Sequence, residues 1–468
     1  EEKKMNKHRK PLLGLCPIGK FVFSNEDAVR FKMLLRLELT RWQIPFVDLD
    51  GVLEDGLVKD QKQVDRVVEH FREARIDCLF VPHCNFGTEG AVGMIARQLG
   101  VPVLLWGPRD EAPLADGTRL RDSLCGMFAS SKVLHKLGVP FTYIENCRIE
   151  EPAFRQGVET FLGAVNVADV FRGGTRIGLV GGRIDFFWTT ICNESELLEK
   201  FNIQILPVDM VEFIRHAKSR VRENRSMYRE QVAELRNQWI VEGFNDDEPL
   251  MNIFGVHDQL RSLAKDHDLE GFAIQDFMSL VDAMEAYCFL ANALISEDYA
   301  VGCESDIHGA ISDILVRRAS LNAQPGFLAD MTIRHPENNN GVLLWHAGAP
   351  LSMCDPEVRP RLGHHWILPS PLSGMTHFKL KEGPITVVRF DGDRGNYQLA
   401  VGEGESMPGP YTQNNYIWMK VDDWPRWERQ LIEGPFIHHA AMIYGHYAGV
   451  FQEAQKYIPN LSTVKLGQ

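Results

Sequence analysis

DCLFVPHC (Asp77–Cys84), TEGAVGMIARQLG (Thr88–Gly100) and VPVLLWGP (Val101–Pro108) follow one another almost without a break. The outer two are short apolar runs bounded by turn residues, and the middle one repeats its apolar residues at helical spacing, so the stretch reads as strand, helix, strand. Gly100-Val101-Pro102 supplies the turn between the last two. Such a unit predicts parallel strands joined by a right-handed crossover.

Working outward, the same alternation continues. PLLGLCPI (Pro11–Ile18) and IPFVDLDG (Ile44–Gly51) read as strands, with helices over Asn25–Trp42 and Lys59–Ile76. A second run opens at TRIGLVGGRIDFFW (Thr175–Trp188), passes helix Asn193–Phe201 and strand Asn202–Asp209, and enters one long charged helix over Met210–Val241. A further helical segment is expected over Gln275–Tyr299. After about residue 340 the texture becomes short alternating runs, GVLLWHAG, HWILPSP, GMTHFKLKEGPITVVRFDG, NYQLAVGEG and NYIWMKV, which read as antiparallel strands. An amphipathic helix around His438–Tyr457 closes the chain. The expected fold is α/β: two successive doubly wound, Rossmann-like domains, 1–173 and 174–340, followed by a β-rich C-terminal domain, 341–468.

Composition narrows the function. The 468 residues are 44% hydrophobic, enough for two or three cores. Lys+Arg number 50 against 63 Asp+Glu, a formal charge of −13 without a basic tract beyond the first residues, which argues against nucleic acid as a partner. No apolar run is long enough to span a membrane, and the charged start EEKKMNKHRK has no secretory core, so a cytoplasmic protein is expected. Nine cysteines without CxxC spacing suit a reducing compartment.

Chemistry concentrates between Val301 and Cys354. VGCESDIHGAISDILV leads through GFLADMTIRHPENNNGVLLWHAGAPLSMC, and GPFIHHAAMIYGH answers it downstream. Glu304, Asp330, His346 and His439 are the candidates: two acids and one or two imidazoles make the mixed oxygen and nitrogen set that a divalent cation such as Mn²⁺ accepts. Each has a plainer reading. Glu304 with Ser305 and Asp306 suits a helix N-terminus, Asp330 a turn before a strand, the His438-His439 pair a helix start, and His346 a core position. The glycines of LVGGRIDFF lack both GxGxxG spacing and a GK[ST] ending, so no nucleotide cofactor is expected.

In this order the motifs CESD, AD, HAG and a late HH resemble the L-fucose isomerase and L-arabinose isomerase family over most of the chain. The resemblance implies a metal-dependent aldose–ketose isomerase in which Mn²⁺, or another divalent cation, holds two adjacent oxygens of an open-chain sugar while a carboxylate pair moves protons between C1 and C2 through a cis-enediol. It assigns Glu304 and Asp330 as metal ligands and acid/base pair, His439 rather than His438 as the late ligand, and His346 as a ligand in one branch only. It also implies a homo-oligomer, trimer or hexamer, whose first domain completes a neighbour's site, which makes His83, Asn85, Trp106 and Arg109 substrate-contact candidates beside Arg183, Gln275 and His438. The substrate would be a deoxy-hexose, a pentose of the L-fucose or D- or L-arabinose type, or a C6-modified hexose such as a sulfonated sugar of the sulfoquinovose type. An anionic C6 group would need a cationic clamp, for which Arg109, Arg172 and Arg183 are available. The competing reading is a non-catalytic sugar-binding or regulatory protein using the same α/β clefts.

Overall fold

The computed structural model of the chain describes residues 10–367 and 370–468. Two compact units emerge: one runs to Ala168 and takes in Gln452–Ile458, and the other comprises Asp169–Phe451 with Pro459–Gln468.

The first unit is a parallel sheet of β1 (Leu13–Leu15), β2 (Phe46–Val47), β3 (Cys78–Pro82), β4 (Val103–Trp106) and β5 (Phe141–Tyr143), in the order β2-β1-β3-β4-β5. β1, β3 and β4 are buried along their whole length. Helices cover both faces, so such strands carry unbroken apolar runs. Ser24 caps the helix Asn25–Arg41 by accepting from the Asp27 N–H, and Gly100, at φ 65°, ends the helix Glu89–Leu99. The late segment belongs here through Tyr457, whose hydroxyl donates to the Val103 carbonyl at 3.1 Å.

The second unit begins with β6 (Arg176–Val180), β7 (Gln204–Val208), the short β8 (Ile240–Val241), β9 (Gly271–Ile274) and β10 (Ala300–Gly302). Four of these form a parallel sheet, β10-β9-β6-β7. The chain then adds β11 (Phe327–Arg334), β12 (Gly341–His346), β13 (Arg361–His364), β14 (Ser373–Lys379), β15 (Pro384–Asp393), β16 (Asn396–Met407), β17 (Asn415–Lys420), β18 (His439–Tyr444) and β19 (Leu461–Lys465). Antiparallel pairing runs β16-β15-β18-β11-β12-β17, and Glu405–Met407 of β16 pairs back onto Trp418–Lys420 of β17. The result is a closed six-stranded barrel, with β19 beside β16 and β14, β13 and β8 extending from β17. Parallel sheet and barrel share one core, in which Phe213, Ala217 and Phe272 belong to the same cluster as Ile385, Val387 and Met442. No helix among the described residues is long and apolar enough to cross a membrane.

Several expectations need correction. The antiparallel part starts at Phe327, ahead of residue 340, so Asp330 stands inside a barrel strand and not in the parallel domain or a turn. The charged helix breaks at Asn224 (φ −128°, ψ 40°) into Met210–Glu223 and Arg225–Gln238. Asn hydrogen-bonds locally and competes with helix continuation. The segment Gln275–Tyr299 holds two short helices, Ser279–Met284 and Phe289–Ile295. Of HHAAMIY, His439–Tyr444 forms strand β18, buried along its length between β11 and β15 with His438 exposed just before it, and the helical part of the segment is Ala448–Ala454 with a 3-10 turn at Gln455–Tyr457. A short run buried on both faces has no period to separate strand from helix. Of the expected strand HWILPSP, His365–Ile367 is irregular, and Leu368 and Pro369 lie outside the described residues, as do residues 1–9.

Candidate active site

Strand β10 delivers the chain to Cys303, Glu304 and Ser305, and both Glu304 (φ 60°) and Ser305 (φ 59°) are left-handed. Two consecutive non-glycine residues in that region cost energy that surrounding structure must hold, a pattern concentrated at functional sites. The turn then enters the helix Ile307–Ala319, whose first N–H groups are capped by Asp306, accepting from Gly309 at 2.9 Å. Register does the rest: Asp330 on β11 lies opposite His439 of β18 on one side and Trp345 of β12 on the other.

His439 is the hub. Its Nδ1 donates to Asp306 Oδ2 at 2.8 Å, and its Nε2 stands 3.3 Å from Glu304 Oε2 and 3.4 Å from Asp330 Oδ1. Burial alone would lower the His439 pKa, but the Asp306 and Glu304 carboxylates outweigh it and push it up to about 10, so a cation taking Nε2 has to displace the proton that those carboxylates otherwise hold there. Burial would raise Glu304, yet the adjacent His439 imidazole and the nearby His346 bring it below its usual range. Asp306, fully buried, is held far below the carboxylate range by Arg389, whose guanidinium donates to it at 2.5 Å, and by His439. Arg389 also donates to Asp391 at 2.9 Å, and Asp391 meets His308 Nδ1 at 3.1 Å, so a buried chain of charges backs the hub. Asp276 is the exception: burial raises its carboxyl to about 6 while it accepts from Asn292 at 2.7 Å and from the Glu304 N–H at 3.3 Å.

The donors suit a cation. Asp330, His438 and His439 offer ligand atoms within 4.8 Å of one another, and Glu304 joins them through His439. Asp330 Oδ1 and His439 Nε2 are buried without a hydrogen-bond partner, as atoms reserved for a ligand would be. Carboxylate oxygens with imidazole nitrogens are a set that a divalent ion such as Mn²⁺ accepts. His438, 3.9 Å from Asp330, stands closer to the group than expected of it. His346 is buried at the end of β12, its ring 6.3 Å from that of His439 and outside the ligand cluster.

Glu304, Asp330, His346 and His438 border a cavity of about 610 Å³ whose apolar walls include Phe277 and Trp345, a size that suits a small organic ligand. Arg183 and Gln275 are absent from its lining. Gln275 donates to the Gly182 carbonyl at 2.8 Å, and Arg183 donates to the carbonyls of Ile184, Asp185 and Phe187, so both brace the loop after β6. In the first unit, three of the four proposed contacts are core groups. His83 is fully buried against Ser130 at 2.8 Å, Asn85 holds the Lys20 backbone, and Trp106 packs on Phe154 at 4.4 Å. Arg109 alone is exposed. Sequence reasoning missed Asp276, Arg389 and Asn414; Asp306 was visible in CESD, where its helix-capping role concealed its grip on His439.

Paired carboxylates around an imidazole, beside a cavity of this size, suit chemistry on a small molecule, and comparison with known proteins gives the class of enzyme, a sugar aldose–ketose isomerase. Residues 14–173 match the fucose/sulfoquinovose isomerase N-terminal domain, and residues 373–461 match the L-fucose isomerase C-terminal domain. The chain belongs to the fucose isomerase-like family. Among similar proteins, a sulfoquinovose isomerase of Alkalicoccus urumqiensis is 27% identical over 72% of this chain and 74% of its own. One of Priestia megaterium (strain ATCC 12872 / QMB1551) is 24% identical over 92% and 93%. A periplasmic solute-binding protein of Actinobacillus succinogenes 130z with bound D-allose aligns at 13% identity over 67% of this chain and 93% of that one, but its TM-score of 0.17 carries no argument.

Proposed function

We propose that this isomerase is metal-dependent and interconverts an open-chain aldose and its 2-ketose through a cis-enediol. The observation that carries the reading is the approach of Glu304 and Asp330 to one nitrogen of His439 beside the cavity. Glu304, Asp330 and His439, with His438 beside them, would hold a divalent cation such as Mn²⁺. Bound there, the ion supplies Lewis-acid stabilisation of the negative charge that develops on the sugar oxygens, worth several kcal/mol. Glu304 and Asp330 exchange the proton between C1 and C2, one taking it from carbon and the other serving the oxygens. Their competence comes from position more than basicity, since Glu304 is held ionised. Phe277 and Trp345 restrict water around the sugar.

The relatives named sulfoquinovose isomerase make a C6-sulfonated hexose the first substrate to test, with L-fucose and D- and L-arabinose as comparisons. No Lys or Arg is among the lining residues, so a sulfonate would draw its positive partner from beyond them. We also place the enzyme in the cytoplasm, in keeping with its nine free cysteines, and infer a homo-oligomer from the family resemblance.

The deciding experiment is isotope exchange. Chelator-stripped protein should lose turnover and recover it with Mn²⁺, and solvent deuterium should appear at C2 of the aldose. Full turnover in the stripped enzyme would end the metal reading, and sugar binding without exchange would favour the non-catalytic alternative.

A further inference from the structure

Asn414 lines the cavity with its side chain in an anomalous state. The residue is 1% exposed, yet neither Nδ2 nor Oδ1 has a hydrogen-bond partner. Buried amides without partners are rare, and each calls for an explanation. This one has an enforced backbone as well. Asn414 is left-handed at φ 64°, its N–H donates to His377 Nδ1 at 2.8 Å, and its carbonyl accepts from the Phe378 N–H at 3.2 Å. Because a backbone N–H can only donate, His377 Nδ1 must be an acceptor, so the ring is neutral with its proton on Nε2. The next residue, Asn415, pairs with His346 across β12 and β17, and its Oδ1 accepts from the Ala349 N–H at 3.0 Å and the Thr376 hydroxyl at 2.7 Å. The backbone that carries Asn414 is therefore tied to the strand end that carries His346.

We propose that Asn414 is a specificity-determining residue of this site, reading two neighbouring hydroxyls of the sugar. An amide offers a donor and an acceptor side by side. A vicinal diol, in which one oxygen accepts and the next donates, matches both, whereas a sulfonate offers acceptors only and a hydrocarbon segment neither. His377 is a positioning residue that holds the Asn414 backbone. The inference rests on the isomerase reading and goes further by naming the functional group that is read.

The test uses the full-length, Mn²⁺-supplemented enzyme and a panel of aldoses with matched deoxy analogues. N414G removes the amide while accepting the left-handed backbone, and N414D keeps the acceptor and loses the donor. The expected result for N414G is a KM at least about tenfold higher with kcat changed less than about threefold, and loss of the preference for the aldose over one of its deoxy analogues. N414D should fall between N414G and wild type, and H377F should shift KM in the same direction. An unchanged KM, or a deoxy preference retained in N414G and N414D, overturns the assignment. Wild-type turnover is scored separately: an inactive wild type counts against the isomerase reading alone. The variants are then compared by the melting-temperature shift each sugar induces, and equal shifts in wild type and N414G overturn the Asn414 proposal.

Discussion

His439 is held by Asp306 on one nitrogen and offered to Glu304 and Asp330 on the other. A carboxylate behind a ligating imidazole fixes its tautomer and raises its basicity, and losing it typically costs 10–100-fold in metal affinity. D306N is therefore expected to weaken Mn²⁺ binding by about 10–100-fold, read by direct metal titration, with turnover largely restored at saturating metal. Arg389 keeps Asp391 as a partner, so the stability loss should stay below the about 3–5 kcal/mol of a broken buried pair. Unchanged affinity would show that Asp306 serves only the helix it caps. Of these residues, Glu304, Asp330 and His439 were legible because short motifs carry them. Asp306 was in view but had a sufficient local explanation as a cap, and nothing in QNNY distinguishes Asn414 until folding strips its amide of partners.

Among elements, the loop Gly181–Phe187 carries the substrate question. Phe186 and Phe187 line the cavity, while Arg183, exposed on the same loop, spends its guanidinium on three backbone carbonyls. A cation so placed is the nearest candidate within the loop to meet a C6 sulfonate. R183A should raise KM for a sulfonated aldose by about tenfold, equivalent to about 1.4 kcal/mol, while shifting a neutral aldose by less than about threefold. An equal rise for both would assign Arg183 to loop bracing alone. Legibility at this scale followed burial geometry. The parallel strands announced themselves as apolar runs between amphipathic helices, whereas β18, apolar on both faces, gave no period and passed for helix.

At the level of the whole molecule, barrel closure rests on pairings between segments far apart in sequence, such as β11 with β18 and β16 with β17. No local pattern encodes such a register, which is why the β-rich character could be read and the closed ring could not. Each unit also buries a neutral histidine, and this makes stability depend on pH. Burial lowers His83 in the first unit and His377 in the second from 6.5 to about 4. Between pH 4 and 6.5 the unfolded chain binds the proton and the folded chain does not, so stability rises with pH across that window and is lost as pH falls through it. Complete passage is worth about 3 kcal/mol per histidine at 1.36 kcal/mol per pKa unit. Asp276, with its carboxyl raised to about 6, binds its proton more readily when folded and opposes this slope in the second unit. His365 and His438, lowered by burial in the same unit, act in the same sense as His377, so both units should loosen in acid. Urea unfolding at pH 7 and pH 4.5, followed by hydrogen exchange to separate the units, should show an acid loss in the first unit that His83 accounts for. H83Q should flatten that loss while leaving the second unit's curve in place. Equal acid sensitivity of the first unit in H83Q and wild type would remove His83 as the cause.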